Sequence, residues 1–448
     1  MNYFCFAKLI RTDSGRLFVY DGLTNKIISI DYGGSSQKNI SELSKEIFPE
    51  LLRRGFLQAG RRKSSQWGAS FEEYKNFLED SLPTLVLQIT RSCNLACSYC
   101  VYSGKYSHVR PAANDNMSSE MIRRSINFYV EHSDKVPVKN ISFYGGEPLL
   151  RFQEIKNAVA YANNLLKGKL LNVSVSTNGV LLNKDLFDWM QENSNVKINV
   201  TLNGTFQDKN RKTIGGAGTL ETVMKNLALM RESYPELWKN QIAFIANYIS
   251  LAEVPEILKF YEQIGVTNQP IFLTGIKRDL ANEELQQLLR IDSRKESLAR
   301  KALRLEFYKN PNGLIKNFFQ GELEILDERN IFSKDDNMKI ASCMPFTVKL
   351  FVRTDGKFNM CERISDALIL GDLDHGFDKH ALEEILAQAE QMINQNCRNC
   401  WAQRICMLCL QNMTDENGKI RKKFPTDVCR NMRRSLYELL KIYCEVYS

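Results

Sequence analysis

The sequence predicts a mixed α/β protein built on a parallel sheet, and three observations carry that reading. From residue 83 to about 275, apolar runs of strand length alternate with amphipathic helical stretches, the pattern of parallel strands joined by crossover helices. Three cysteines, Cys93, Cys97 and Cys100, follow directly on the first of those runs, so they sit on the loop leaving a strand. Seven more cysteines lie from Cys343 to Cys429, outside the alternating region.

Taken in order, residues 1 to 82 have their own pattern. Two β-rich runs, 16–20 and 26–30, are joined by a short loop containing Gly22, which predicts a hairpin. Helical spacing follows at 41–47 and again at 71–78. The alternating region then supplies six predicted strands at 85–90, 141–144, 172–176, 197–202, 242–247 and 271–274. Helices are predicted at 119–131, 154–166, 184–192, 219–231 and 254–264. In such βα architectures the chemistry gathers at the carboxyl ends of the strands. From 276 to 340 charged helix formers dominate and read as a helical bridge, and 341–448 holds the second cysteine group.

Composition bounds the function. With 448 residues the chain is long enough for two to four domains, and 44% hydrophobic with 25% charged residues is ordinary for a globular protein. The first eight residues lack the basic-then-apolar order of a signal peptide, and no apolar run reaches the length of a membrane span, so a cytoplasmic location without membrane contact is expected. Twelve cysteines in that setting point to metal binding or catalysis before disulfides. A net charge of +8 favours an acidic partner, but basic residues with interleaved aromatics form no stripe, so no nucleic-acid binding is expected.

Three thiols so close in sequence can ligate one metal centre. An iron-sulfur cluster normally takes four cysteines, so three from one loop leave one iron free for another ligand. A zinc-binding loop, or three buried structural thiols, remains the alternative.

The spacing Cys93-x3-Cys97-x2-Cys100, with Tyr99 before the last cysteine, resembles the signature of the radical S-adenosylmethionine (SAM) superfamily. That resemblance implies a partial (β/α)6 TIM barrel spanning 83–275. It also implies a 4Fe-4S cluster on the three thiols and SAM on its open iron, cleaved to a 5′-deoxyadenosyl radical. Tyr99 would lie beside the adenine. Tyr144-Gly145-Gly146-Glu147-Pro148 stands where the family has its GGE motif, whose glycines present backbone to the SAM amino group. Ser176-Thr177-Asn178-Gly179 resembles a ribose- or carboxylate-binding strand end, which makes Ser176 and Asn178 cofactor candidates. The fourth strand ends in Thr201-Leu202-Asn203-Gly204, followed by Gln207-Asp208 and Arg211. Relatives often carry Ser-Leu-Asp-Gly, then His-Asp and Arg, so an acidic contact is replaced by an amide.

The later cysteines, Cys343-x12-Gly356-x4-Cys361, then Cys397-x2-Cys400-x5-Cys406-x2-Cys409, then Cys429, resemble the SPASM domain. That resemblance implies two auxiliary 4Fe-4S clusters. Cys397, Cys400, Cys406 and Cys429 would hold one; Cys343, Cys361 and Cys409 would hold the other, with Cys444 or a substrate group as a fourth ligand. The last pair encloses two residues where the family has three. A zinc ribbon is disfavoured because its two pairs stand about 12 to 20 residues apart.

The front of the chain resembles the winged-helix leader-recognition module of radical SAM peptide maturases, with a cap over the barrel as the alternative. The expected function is therefore a peptide maturase that installs a thioether or carbon-carbon crosslink on a ribosomally made precursor peptide bearing a leader. Its electrons would come from a flavodoxin or ferredoxin. An anaerobic sulfatase maturase is the competing enzyme; it carries Asp-Phe-Tyr where this chain has Glu362-Arg363-Ile364. A zinc-bearing, non-catalytic binder is the competitor from another class.

Overall fold

The computed structural model describes residues 6–31, 40–54, 57, 70–167, 169–276, 281–331 and 343–447; Cys5 lies outside them. Strands β1 (Ala7–Arg11), β2 (Leu17–Asp21) and β3 (Lys26–Ile30) form an antiparallel sheet in that order. The hairpin expected at 16–30 is its second half. The turn closes at Asn25, which takes a positive φ of 62°, with the Asp21 carboxylate accepting from Leu23 N–H and the Thr24 hydroxyl. β1 escaped the sequence reading, being a five-residue run paired only through β2.

Helix α1 (Ile40–Arg53) buries Leu43, Ile47, Phe48 and Leu51 against Leu9, Leu17 and Val19 on one face of this sheet. Helix α2 (Phe71–Asp80) opens on Ser70, which forms a capping box with Glu73.

The main sheet begins with β4 (Leu85–Thr90), buried at every position as a central parallel strand should be. Helix α3 (Ser119–Glu131) leads to β5 (Val138–Gly145), α4 (Phe152–Leu165) to β6 (Leu170–Thr177) and α5 (Lys184–Glu192) to β7 (Val196–Thr201). The short α6 (Gln207–Asn210), α7 (Leu220–Ser233) and α8 (Pro235–Asn240) precede β8 (Ile242–Tyr248), and α9 (Val254–Gln263) precedes β9 (Ile271–Gly275). β4 to β9 pair in sequence order, all parallel, which is the expected six-stranded partial barrel. Ser118 and Asn183 cap α3 and α5 through side-chain oxygens, which is why those helices begin where the sequence placed them.

Helices α10 (Glu283–Leu288), α11 (Ser293–Lys309) and α12 (Lys316–Asp327) follow. The chain then returns to the main sheet. β10 (Leu350–Val352) pairs in parallel with β4, Leu350 opposite Leu85, and β11 (Phe358–Asn359) pairs antiparallel with β10. The sheet therefore has eight strands in the order β11-β10-β4-β5-β6-β7-β8-β9, two more than the sequence indicated. A three-residue strand carries too little periodicity to be read alone; its register comes from the edge it covers.

After the small ribbon of β12 (Gly371–Asp372) and β13 (Gly376–Phe377) come α13 (Lys379–Asn396), α14 (Leu410–Met413) and α15 (Thr426–Val446). α15 joins α11 and α12 in a second core, into which the other face of the first sheet inserts Ile10, Phe18 and Tyr20. The buried Arg304 of α11 ties the three regions together, pairing with Asp13 at 2.8 Å and with Glu438 of α15. Among the described residues no helix is long and apolar enough to cross a membrane.

Candidate active site

The cysteine loop leaves β4 at Thr90 and is zipped on both sides. Arg91 N–H donates to the Asp115 carbonyl, and the Arg91 guanidinium meets the Asp115 carboxylate at 3.0 Å. On the other side Ala96 N–H donates to the Lys212 carbonyl at 2.8 Å and Ser98 N–H to the Asn210 carbonyl at 2.9 Å. The segment after β7 thus clamps the loop and carries Arg211, 6% exposed, to the same place. Burial pushes the Cys93 thiol up to about 11 and Cys100 up to about 12, and raises Cys97 as well.

The glycine pair has a reason in this structure that does not involve a ligand. Gly145 takes φ +143°, and a Cβ there would stand 2.0 Å from the Thr90 carbonyl oxygen; one on Gly146 would stand 2.1 Å from that of Ser92. Only bare backbone allows β5 to come this close to the cysteine loop, where Gly146 N–H donates to Thr90 and Glu147 N–H to Ser92.

Glu147 is placed differently from expectation. It is fully buried behind the loop, off the cavity wall, because its carboxylate is consumed by the end of β6. It accepts from Asn178 N–H at 2.7 Å, the Thr177 hydroxyl at 2.8 Å and Leu149 N–H at 3.1 Å. Burial raises its pKa above the ordinary carboxylate value, and those three donors oppose the rise.

The strand ends converge on one cavity of about 220 Å³. Cys93, Cys97 and Cys100 line it beside Gly145, Gly146 and Ser176, and Thr201, Asn247 and Thr274 reach it from the later strands. Asn178 also lines it, but its amide donates to Asn94 at 2.7 Å, so it braces the cysteine loop. Tyr99 lies in the wall with its hydroxyl held by the Asn203 amide at 2.6 Å and Arg211 at 3.4 Å. Asn203 accepts in turn from Asn247 N–H at 2.9 Å. The amide that replaces the usual acid is therefore a two-sided brace between β7, β8 and the cysteine loop.

Sequence reading missed Tyr102, Tyr106, His108, Arg363 and Gln411, all of which line the cavity. A signal existed: three follow Cys100 within eight residues, and Arg363 and Gln411 each stand two residues after a cysteine. His108 is buried, its imidazole bonded to the Arg363 backbone with Nδ1 unpartnered, and burial lowers its pKa.

The second group of cysteines separates into two sets. Cys397, Cys400, Cys406 and Cys429 line one apolar pocket with Ile393, Phe424 and Met432, and Arg433 at its edge. Burial pushes Cys397 and Cys406 up to about 12, with the Arg433 charge opposing. Cys343 shares a hydrogen bond with Cys409, which lowers it to about 7, while burial, with the nearby Cys409 adding, pushes Cys361 up to about 11. The short spacing before Cys409 does not remove it from this set. Cys444 does not join it; it is fully buried in the second core, near Arg16 and Arg329.

Among the described residues no three His, Cys, Asp or Glu side chains converge on a point to hold a single ion. Cys93, Cys97 and Cys100 instead line one cavity together, and in an iron-sulfur cluster each thiolate takes a different iron. The donor set of the first site fits a 4Fe-4S cluster with one open iron.

A family profile described as Radical SAM superfamily matches residues 87–261. A probable GTP 3′,8-cyclase of Methanocaldococcus jannaschii is 29% identical over 44% of this chain and 61% of its own length. A serine-type anaerobic sulfatase-maturating enzyme of Bacteroides thetaiotaomicron is 28% identical over 41% of this chain and 44% of its own. The chain thus spans about half the length of these relatives. In fold it resembles native anSMEcpe with bound AdoMet and Kp18Cys peptide, with TM-score 0.59, 18% identity, and 81% of this chain and 99% of that one covered. It also resembles Streptococcus suis SuiB bound to precursor peptide SuiA, with TM-score 0.50, 13% identity and coverage of 94% and 98%.

Proposed function

We propose, for a chain that belongs to the radical SAM superfamily through residues 87–261, that it is a SPASM-type peptide maturase crosslinking a ribosomally made precursor peptide. The observation that carries this reading is the composition of the cavity. Residues of the cysteine loop and of strands β5 to β9 share it with Arg363 and Gln411, which stand just after two cysteines of the carboxyl-terminal group. Substrate seated there would lie between the two cysteine regions.

When bound, the cluster and SAM supply a 5′-deoxyadenosyl radical that removes a hydrogen atom from the substrate. Cys93, Cys97 and Cys100 hold the cluster in this reading. Tyr99, fixed by Asn203 and Arg211, forms the wall beside the adenine, and Ser176 and the backbone of Gly145 and Gly146 present polar groups to the cofactor. Glu147 and Asn178 act one step back, holding the end of β6 and the cysteine loop in register.

Cys397, Cys400, Cys406 and Cys429 would carry a complete auxiliary cluster. Cys343, Cys361 and Cys409 would carry another whose open position a substrate thiolate can occupy, which suits a thioether product over a carbon-carbon one. The division into 1–82, 83–275, 276–340 and 341–448, a leader-binding role for the first, a cytoplasmic location and a flavodoxin or ferredoxin donor belong to the same proposal. β3 supports the leader role: among the described residues it ends the order of its three-stranded sheet, an edge to which a peptide strand can add.

The decisive assay reconstitutes the protein anaerobically and incubates it with SAM, reductant and the Cys-containing precursor peptide encoded beside it. The expected result is about twelve irons per chain and a product lighter by two hydrogens for each crosslink. An unchanged peptide alongside SAM cleavage would sink the maturase reading. The sulfatase-maturase alternative draws on the relative and fold neighbour above, and a short sulfatase-type peptide oxidised in the same assay would favour it.

A further inference from the structure

The excess positive charge of this chain is concentrated. Between Cys397 and Arg434 there are nine basic residues against three acidic ones, in a chain whose whole net charge is +8. This is the segment that folds around Cys397, Cys400, Cys406 and Cys429. Arg433 lines their pocket, while Lys422 lies beside Gln395 and Asn396 at the end of α13, immediately before Cys397. Arg398, Lys422, Lys423, Arg430, Arg433 and Arg434 are all exposed. Of these six, Arg430 pairs with Asp427 at 3.4 Å across an exposed helical turn, too weak a contact to neutralise the rim.

Four part-buried thiols, with Arg433 at the pocket edge and further exposed cations on the segments that carry the cysteines, have two requirements met at once: a short path from the surface to the sulfurs, and a field that orients an anionic visitor. Small electron carriers present acidic faces around their redox group and dock weakly, through small interfaces steered by charge. We infer that this basic rim is the docking surface of an acidic one-electron carrier that delivers its electron at the Cys397, Cys400, Cys406 and Cys429 pocket. The inference rests on reading those four cysteines as iron ligands. In the transfer the carrier loses one electron and the four-thiol centre gains one, with no bond made and no proton moved.

The test uses the reconstituted full chain and a triple variant, Lys422→Glu, Lys423→Glu and Arg434→Glu, which leaves every cysteine and Arg433 intact. Titration calorimetry with a purified flavodoxin at low and moderate salt should show at least a tenfold weaker Kd for the variant. It should also show a flatter dependence on ionic strength. Formation of 5′-deoxyadenosine should fall with reduced flavodoxin as donor and stay unchanged with dithionite. Equal flavodoxin affinity in the two proteins overturns the inference, as does a variant that loses affinity for the precursor peptide and keeps it for flavodoxin. If neither protein cleaves SAM with dithionite, the radical reading fails, while the calorimetry still decides the surface.

Discussion

At the scale of single residues, the glycines beside the cysteine loop carry a sharp expectation. Gly146→Ala sets a Cβ 2.1 Å from the Ser92 carbonyl oxygen and 2.5 Å from its carbon, and backbone cannot swing aside as a side chain can. The loop must shift, at about 1–3 kcal/mol, and the thiol trio shifts with it. If the chain carries the three clusters proposed above, iron analysis should then find about four of twelve irons missing, with any signals from the carboxyl-terminal sets retained. His108 predicts a pH effect. Its folded pKa lies below the ordinary 6.5 because it is buried, so the unfolded chain takes up the proton first as pH falls. The stability from keeping it neutral is complete above pH 6.5 and is lost as pH falls through the lowered folded value. Denaturation midpoints measured between about pH 5 and 7.5 should fall less steeply on the acid side in His108→Gln. The cysteines and glycines were legible because their spacing is rigid. Arg363 and Gln411 were marked only by standing two residues after a cysteine, and only folding brings them to Cys100.

Among secondary-structure elements, those with strong local signals were read almost to the residue. β4, α3 and α5 coincide with the sequence expectation, because a mostly apolar strand and side-chain caps fix their ends locally. β1 and β10 were missed, because a short strand is defined by the edge it joins. β10 yields a prediction of its own. It covers β4, whose residues are buried throughout and mostly apolar, so removing 341–448 leaves that edge open to pairing with another chain. The shortened protein should elute as aggregate in size-exclusion chromatography. α12 offers the opposite change. Gly321 sits inside this helix, and a methyl added to its Cα would meet no atom within 4 Å, so Gly321→Ala should raise stability by about 0.5–1 kcal/mol. A urea denaturation midpoint displaced upward at unchanged slope is the check.

For the whole molecule, the question is whether front, bridge and back unfold together. Arg304 stands between Asp13 of the first sheet and Glu438 of α15. Arg304→Met leaves Lys441 on Asp13 at 2.7 Å but strands Glu438 half-buried. Losing one partner of a buried pair costs about 3–5 kcal/mol, and about 1–3 kcal/mol is expected with both acids partly in water. Fluorescence and circular dichroism should still trace one shared urea transition, moved to lower denaturant. Two separate transitions would mean that the first sheet is held mainly by α1. None of this docking was legible in the sequence, where Asp13, Arg304 and Glu438 are three ordinary surface-type residues separated by hundreds of positions.

The strand that completes the main sheet has a consequence during synthesis. A ribosome delivers β4 to β9 well before Leu350 emerges, so while the 75 residues from Gly275 to Leu350 are translated one flank of the nascent barrel waits uncovered. The loop of Cys93, Cys97 and Cys100, which leaves the end of β4, is therefore made well before the strand that closes the open edge of β4.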